Sequence, residues 1–261
     1  MFSDEPRCIY GSNQLADVIC QLRFPEILKI EATAPVDFQE AVRNTFPKYT
    51  LRKETYSPKL VGPPGNMQLE NPPATNNYQF TTADGSWRIN LTSKFISLSC
   101  NHYTRWEEFA QKLDLLLSAF ICVYQPVLFE RIGLRYINAI SRQDLQLSDY
   151  RYSDLIQPIY LGPLNFEGLN ERAFSHCGTD FEVNLGNNIK AKVHAGPGLL
   201  KRNGTADPEA KFIFDQDLYV GGDIPVNHAA AILDAVHNKA TSLFRGAITD
   251  LLHNAMEPTN I

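Results

Sequence analysis

Two arginines in the middle of the chain are the residues most suggestive of binding chemistry. They lie in the stretch RIGLRYINAI, residues 131–140. Alternate side chains of a β-strand point to opposite faces, so Arg131, Gly133 and Arg135 share one face and the apolar residues between them share the other. Two guanidinium groups in this arrangement can be solvated, can pair with carboxylates, or can hold an anion.

Two aspartates on a later predicted strand are candidate partners for these arginines. Asp215 and Asp217 lie in FIFDQDLYV, residues 212–220, and share a face with Tyr219. Carboxylates at this spacing suit a divalent cation such as Mg²⁺. They equally suit charge-assisted hydrogen bonds to Arg131 and Arg135 on a neighbouring strand.

Three interpretations of this set therefore stay open: a structural ladder of ion pairs, a solvated face, and an anion or metal site. The other face of the arginine strand is apolar enough to pack a core, so a sheet covered on both faces would bury the arginines. Buried guanidinium groups need carboxylates or a bound anion. We expect Arg131 and Arg135 to point inward, with Asp180 as a weaker alternative partner.

The sequence contains no second catalytic constellation. Its six histidines include His237 and His253 on the last predicted helix, and none lies in a metal-binding motif. No G-x-S-x-G nucleophile elbow is present. The sequence therefore predicts no catalytic residue and no cofactor.

Composition limits the class of protein. The chain has 261 residues, of which 44% are hydrophobic and 20% charged, with a net charge of −5. An acidic balance disfavours a nucleic-acid partner. No secretory signal opens the sequence, the longest apolar run is about half of a membrane span, and the five cysteines lack a C-x-x-C pair. We expect a cytoplasmic protein with no membrane partner.

The order of elements predicts an α+β fold with mainly antiparallel sheets, each covered by a long helix. Amphipathic helices are expected at 104–124 and at 226–256, the second bending near Gly246, and strands precede each. This order suggests a duplicated β-α-β-meander-α unit, with halves 1–143 and 144–261 packed as one unit. Residues 57–77 hold five prolines and no periodicity; they could be a lid, a partner-binding arm or a disordered loop.

Several stretches together resemble a family of uncharacterised, sporadically distributed bacterial proteins of similar length. The matching pieces are DVICQLRFP near the start, RIGLRYINAI, the D-x-D strand FDQD, and HNKATSLFRGAITDLL at the end. The family has no agreed biochemical activity. Its patchy distribution implies an accessory gene, carried with mobile or defence loci.

These observations favour a non-catalytic binding or interaction module whose partner is a protein from the same locus or a second copy of the chain. The alternative is an enzyme or sensor that binds a phosphorylated small molecule. In that alternative Arg131 and Arg135 hold the anion, and Asp215 and Asp217 hold Mg²⁺.

Overall fold

The computed structural model describes residues 1–55, 59–61, 67–70, 74–168, 170–202 and 205–260. Its strands are β1 (Cys8–Tyr10), β2 (Leu15–Arg23), β3 (Lys48–Glu54), β4 (Lys59–Val61), β5 (Gln68–Glu70), β6 (Thr75–Thr81), β7 (Trp87–Leu91), β8 (Phe95–Cys100), β9 (Leu128–Ile140), β10 (Thr179–Asn184), β11 (Ile189–Gly198), β12 (Lys201–Arg202), β13 (Thr205–Ala206), β14 (Lys211–Pro225) and β15 (Pro258–Asn260). Its α-helices are α1 (Leu28–Ala32), α2 (Val36–Val42), α3 (Trp106–Tyr124), α4 (Tyr152–Leu155), α5 (Ala229–Ala247) and α6 (Asp250–Ala255). Short 3₁₀ turns lie at Pro158–Tyr160, Gly162–Asn165, Glu171–Ala173 and Val226–His228.

One nine-stranded sheet organises these elements. Its order is β10-β11-β14-β9-β2-β8-β7-β6-β3, and every neighbouring pair is antiparallel. The predicted α+β class with antiparallel strands is therefore confirmed. The strands of both halves join in a single sheet, because β9 pairs with β2 on one side and β14 on the other.

The strand order supports the suggested duplication. In the first half the order β6-β7-β8-β2 precedes α3, and in the second the order β10-β11-β14-β9 precedes α5. The first strand of each half, β2 or β9, thus pairs with the last strand before its long helix. β2 and β9 meet antiparallel at the junction, as a two-fold relation between the halves requires. The division into halves 1–143 and 144–261 stays a prediction from the sequence.

Both long helices pack on the same face of the sheet, which we call the core face. From α3, Phe109 contacts Trp87 of β7, with ring centroids 5.5 Å apart. From α5, Phe244 contacts Phe214 of β14 at 5.9 Å. Side chains alternate between the two faces of a strand, and every second residue of β14 from Phe212 to Val220 is buried. These buried residues form part of the core face. The opposite face, which we call the open face, carries the polar residues of the same strands.

The last helix differs from the prediction of one continuous helix over 226–256. Helix α5 ends at Ala247, and the next residue, Ile248, is extended with φ −102° and ψ 156°. Ile248 is buried and forms a β-bridge with Ile156. Thr249 then caps α6, its side chain accepting a hydrogen bond from the backbone of Leu252 at 3.4 Å. A tertiary contact thus interrupts a pattern that is helical on both sides of the break.

Much of the proline-rich segment 57–77 lies outside the described residues, namely 57–58, 62–66 and 71–73. The expectation of a lid, arm or disordered loop falls largely on that part. Within the described residues, β4 pairs antiparallel with β5, and the end of the segment opens β6. Among the described helices, none combines the length and the apolar character needed to cross a lipid bilayer.

The packing of α3 yields a direct test. Leu116 is fully buried, whereas its neighbour Leu115 is 38% exposed. We expect Leu116→Asp to lower the free energy of unfolding by more than about 3 kcal/mol, because it places an unpaired charge against the sheet. Leu115→Asp should change it by about 0.5 kcal/mol or less. Urea unfolding followed by circular dichroism measures both, and equal effects would contradict this packing.

Candidate functional site

The structure brings the four predicted site residues together on the open face. Asp217 accepts two hydrogen bonds from Nη2 of Arg131, both at 2.8 Å. Asp215 accepts from Nε of Arg135 at 2.8 Å and from its Nη2 at 2.5 Å. Asp217 lies opposite Arg135 in the strand register, so each arginine reaches diagonally to its carboxylate. All four charges are therefore used in cross-strand ion pairs.

Arg131 lies opposite Gly221 and so reaches farther along β14 to its carboxylate than Arg135 does. Gly133 makes this longer reach possible. A Cβ atom at Gly133 would collide with the guanidinium group of Arg131. Tyr219 lies opposite Gly133, and the same guanidinium group lies over its ring at 4.3 Å from the centroid. The glycine thus leaves the space through which Arg131 crosses to Asp217 while stacking on Tyr219.

Burial of this ladder differs from the expectation. The side chains of Arg131 and Asp217 are 20% and 26% exposed, but Arg135 is 46% exposed. The prediction that Arg131 and Arg135 point inward is therefore wrong, because both lie on the open face, Arg131 half-buried and Arg135 exposed. The physical reason is that α3 and α5 both pack on the core face, which leaves the open face in contact with water.

Ion pairs and amide contacts continue the ladder across the open face. Asp180, the weaker candidate partner, accepts instead from His194 of β11 at 2.8 Å. On the other half of the sheet, Nε2 of Gln79 donates to Oδ1 of Asn90 at 2.9 Å. Within the described residues, no group of three or more His, Cys, Asp or Glu side chains is placed to hold a metal ion. Several polar side chains of the open face are thus paired with one another. Asp17 of β2 is an exception, because its Oδ1 atom is buried without a hydrogen-bond partner.

A second site lies on the core face, in a cleft of about 90 Å³. We call it the cleft. The sheet forms its floor, the start of α3 and the middle of α5 form two walls, and β1 forms a third. Residues from each of these elements line it, among them Arg7, Leu15, Trp106, Tyr136, Gln216 and Thr241. This volume is below the range typical of drug-sized ligands, so the cleft suits only a small ligand.

The first ten residues, which we call the N-terminal strap, close one side of the cleft. Ser3 and Ser242 of α5 exchange two hydrogen bonds, and Glu5 pairs with Arg245 at 2.7 Å. Gly246 has no side chain that would meet the backbone of Met1, so the strap can lie directly against α5. This glycine thus permits the close approach of the strap. The predicted bend near Gly246 is present as a break, since α5 ends at Ala247.

A directional chain of hydrogen bonds fixes the side chains beside the cleft. Arg7 can only donate, so Nε2 of His237, 3.1 Å away, accepts. The neutral imidazole then carries its proton on Nδ1 and donates to the hydroxyl of Tyr136 at 2.7 Å. Tyr136 in turn hydrogen-bonds with Tyr103. The ring of His237 also stacks on Trp106, with centroids 4.3 Å apart and planes 7° apart.

Burial keeps these groups uncharged. It lowers the pKa of His237 to about 3, with the charge of Arg7 as a further cause. Burial also raises the pKa of Tyr103 to about 12 and holds the pKa of Tyr136 well above its ordinary value. At neutral pH the histidine and both tyrosines therefore act as fixed donors and acceptors.

Gln216 is the polar group of the cleft that remains incompletely paired. Its side chain is 2% exposed, and Nε2 donates to the backbone oxygen of Ala240 at 3.2 Å. Its Oε1 atom is buried and has no hydrogen-bond partner. It is one of five such atoms in the described residues, and of these five only Gln216 belongs to the lining of the cleft. A buried acceptor without a partner calls for a physical explanation.

Gln216 was not among the residues predicted from the sequence, although its position in the strand pattern was informative. Gln216 stands between the two aspartates of FDQD, on the face of β14 that otherwise carries Phe212, Phe214 and Leu218. Asn138 interrupts the apolar face of β9 in the same way and is 4% exposed. A polar residue at an inward position of an apolar strand is the pattern that predicts this site.

Comparison with known proteins adds no identification, since no family model and no curated protein sequence matches the chain. A function for the chain therefore has to be argued from the geometry of the open face and of the cleft.

The ion pairs of the open face predict a measurable coupling. Replacing Arg131, Asp217 or both with alanine forms a double-mutant cycle, and we expect a coupling free energy of about 1–3 kcal/mol, as for hydrogen bonds to charged groups. The exposed pair Arg43–Glu40, at 59% and 55% exposure, is the control; its coupling should be below about 0.5 kcal/mol. Additive effects of the Arg131 and Asp217 substitutions would contradict a structural pair.

The depressed pKa of His237 predicts how stability depends on pH. The unfolded chain binds a proton below about pH 6.5, whereas the folded protein does so only near pH 3. The contribution of His237 to stability is therefore complete above pH 6.5 and is lost as the pH falls toward 3, with a slope of up to about 1.4 kcal/mol per pH unit.

Urea unfolding between pH 4 and 7.5 measures this slope. We expect His237→Gln to lose less stability on acidification than the wild type, because the variant has no group that becomes protonated only on unfolding. The exposed His102 supplies the control variant His102→Gln, which should follow the wild type. Parallel curves for His237→Gln and the wild type would contradict the assignment of a buried neutral imidazole.

Proposed function

We propose that this chain is a non-catalytic binding protein and that the cleft holds its ligand, a small molecule. The observation that carries the proposal is the buried, unpartnered Oε1 of Gln216, a residue that lines the cleft. An N–H or O–H group of a bound molecule would satisfy this acceptor. Apolar lining with a few convergent polar groups is the usual construction of a ligand site.

The chemistry of the lining favours binding over catalysis. A general acid or base works best with a pKa near the operating pH. Burial moves the pKa of His237 far below neutrality and that of Tyr103 far above it. His237 is further held between Arg7 and Tyr136, so both of its ring nitrogens are occupied.

The alternative function, binding of a phosphorylated small molecule with Mg²⁺ on the open face, has weaker support. An incoming phosphate would have to displace Asp215 and Asp217 from the arginines that they already neutralise. A protein partner or second copy, a cytoplasmic location and the resemblance to the sporadically distributed bacterial family stay predictions from the sequence.

Indole is a suitable probe of the cleft, because it combines a small apolar ring with one N–H donor. We expect indole to bind the wild-type protein and to shift the NMR signals of the Gln216 side-chain amide and of the Trp106 ring N–H. Thr241, on the α5 wall, is half-buried and lines the cleft. Thr241→Phe should fill the cleft and abolish these shifts.

A matched control lies on the same helix. Ala235 is exposed, so Ala235→Phe adds the same ring outside the cleft and should leave indole binding unchanged. If Thr241→Phe unfolds, Leu15→Trp blocks the cleft from the sheet. Absence of indole binding to the wild type, or unchanged binding in a folded blocking variant, would overturn the proposed function.

A further inference from the structure

We infer that the ligand of the cleft is a small monocarboxylate with an apolar body and one N–H or O–H donor, bound with its donor on Gln216 and its carboxylate toward Arg7 and Arg105. This inference rests on the proposed function and specifies the chemical class of the ligand. It follows from two features of the cleft lining: the two arginines, and the apolar residues around Gln216.

The lining of the cleft contains two positive charges, and the nearby carboxylates lie outside it, among them Asp234, which accepts a hydrogen bond from Trp106 at 3.3 Å. Arg7 and Arg105 both line the cleft, and no aspartate or glutamate does. Glu107 pairs with Arg7 from outside the lining and is itself 54% exposed. Arg105 is exposed, and in the described part of the chain it makes no ion pair. The charge of Arg105 does act on nearby Glu107. The guanidinium group of Arg105 has no carboxylate of the described residues in direct contact, however, so it can form a charge-assisted hydrogen bond with one carboxylate of a ligand.

The floor of the cleft excludes that anion. The unpartnered group of Gln216 is an acceptor oxygen, and a carboxylate placed beside it would set two acceptors against each other. Leu15, Phe244 and Met256 contribute apolar surface around the same floor. Moving a charged group into such surroundings without a partner carries a large free-energy cost. The donor of the ligand therefore faces inward and the carboxylate faces outward.

A hydrogen bond between the ligand and Gln216 also accounts for the conformation of that side chain. The amide nitrogen of Gln216 is anchored to the backbone of Ala240 at 3.2 Å, which leaves Oε1 as the unpartnered group of this side chain. Neighbouring Tyr136 and His237 are engaged with each other at 2.7 Å. Selectivity for a donor at the floor thus belongs to Gln216.

Three related probes separate the parts of this inference. Indole supplies the apolar ring and the N–H, indole-3-acetate adds the carboxylate, and 1-methylindole-3-acetate keeps the carboxylate but lacks the N–H. Isothermal titration calorimetry with the wild-type protein gives the dissociation constant of each. We expect indole-3-acetate to bind at least about tenfold more tightly than either of the other two, the gain typical of a hydrogen bond to a charged group or to a buried acceptor.

Variants of Arg105 and Gln216 test which residue is responsible for the tighter binding due to the carboxylate and for that due to the N–H group. Arg105→Gln should remove most of the advantage of indole-3-acetate over indole, and the exposed Arg43→Gln should preserve it. Gln216→Met has a similar shape without the amide, and it should remove the preference for the N–H over the N-methyl probe. Raising the salt concentration should weaken the binding of indole-3-acetate more than the binding of indole, because salt screens the ion pair.

The outcomes distinguish this inference from the function on which it rests. If indole binds in the cleft and indole-3-acetate binds no more tightly, the assignment of a carboxylate ligand is overturned and the cleft remains a ligand site. If the N-methyl probe binds as tightly as indole-3-acetate, the role of Gln216 is overturned. If none of the three probes binds the wild type, both this inference and the proposed function fail.

Discussion

Strand β9 holds the two halves of the molecule together through backbone hydrogen bonds on both of its edges. Its pairing with β2 and with β14 fixes the register across the junction, where a shift by one residue would turn every side chain to the opposite face. The apolar residues of β9 therefore meet those of β2 and β14 on the core face. The same register places Arg131 and Arg135 within reach of Asp217 and Asp215 on the open face.

The two faces of the sheet use polar groups differently. On the open face, partly exposed charges neutralise each other in pairs, and such pairs add modest stability while keeping the strands in register. On the core face, the few polar side chains are buried, so each must find a partner within the protein or in a bound molecule. His237 and Tyr136 find partners inside the protein, but Oε1 of Gln216 does not. That difference is why the cleft, rather than the arginine ladder, is the better candidate for ligand binding.

The cleft exists because the long helices do not meet the sheet everywhere. Trp106 at the start of α3 stacks on His237 of α5, which brings the two helices together above the junction of the halves. The N-terminal strap then closes the side left between α5 and the sheet, and it is attached to α5 through Ser3 and Glu5. A site assembled from the first residues, the central strands and the last long helix depends on the whole fold.

Local patterns in the sequence determined the α+β class, the long helix α3, the strands with two distinct faces, and the arginine and aspartate residues that share one face. They did so because burial on a helix or strand imposes a short, fixed period. Only the tertiary structure decided that both helices lie on one face, that Ile248 ends α5 by pairing with Ile156, and that Arg7 reaches His237 over a separation of 230 residues. The inward position of Gln216 was visible in the alternation of β14, but the cleft beside it was not. Contacts between distant segments leave no period in the sequence, so the site that those contacts create is visible only in the folded chain.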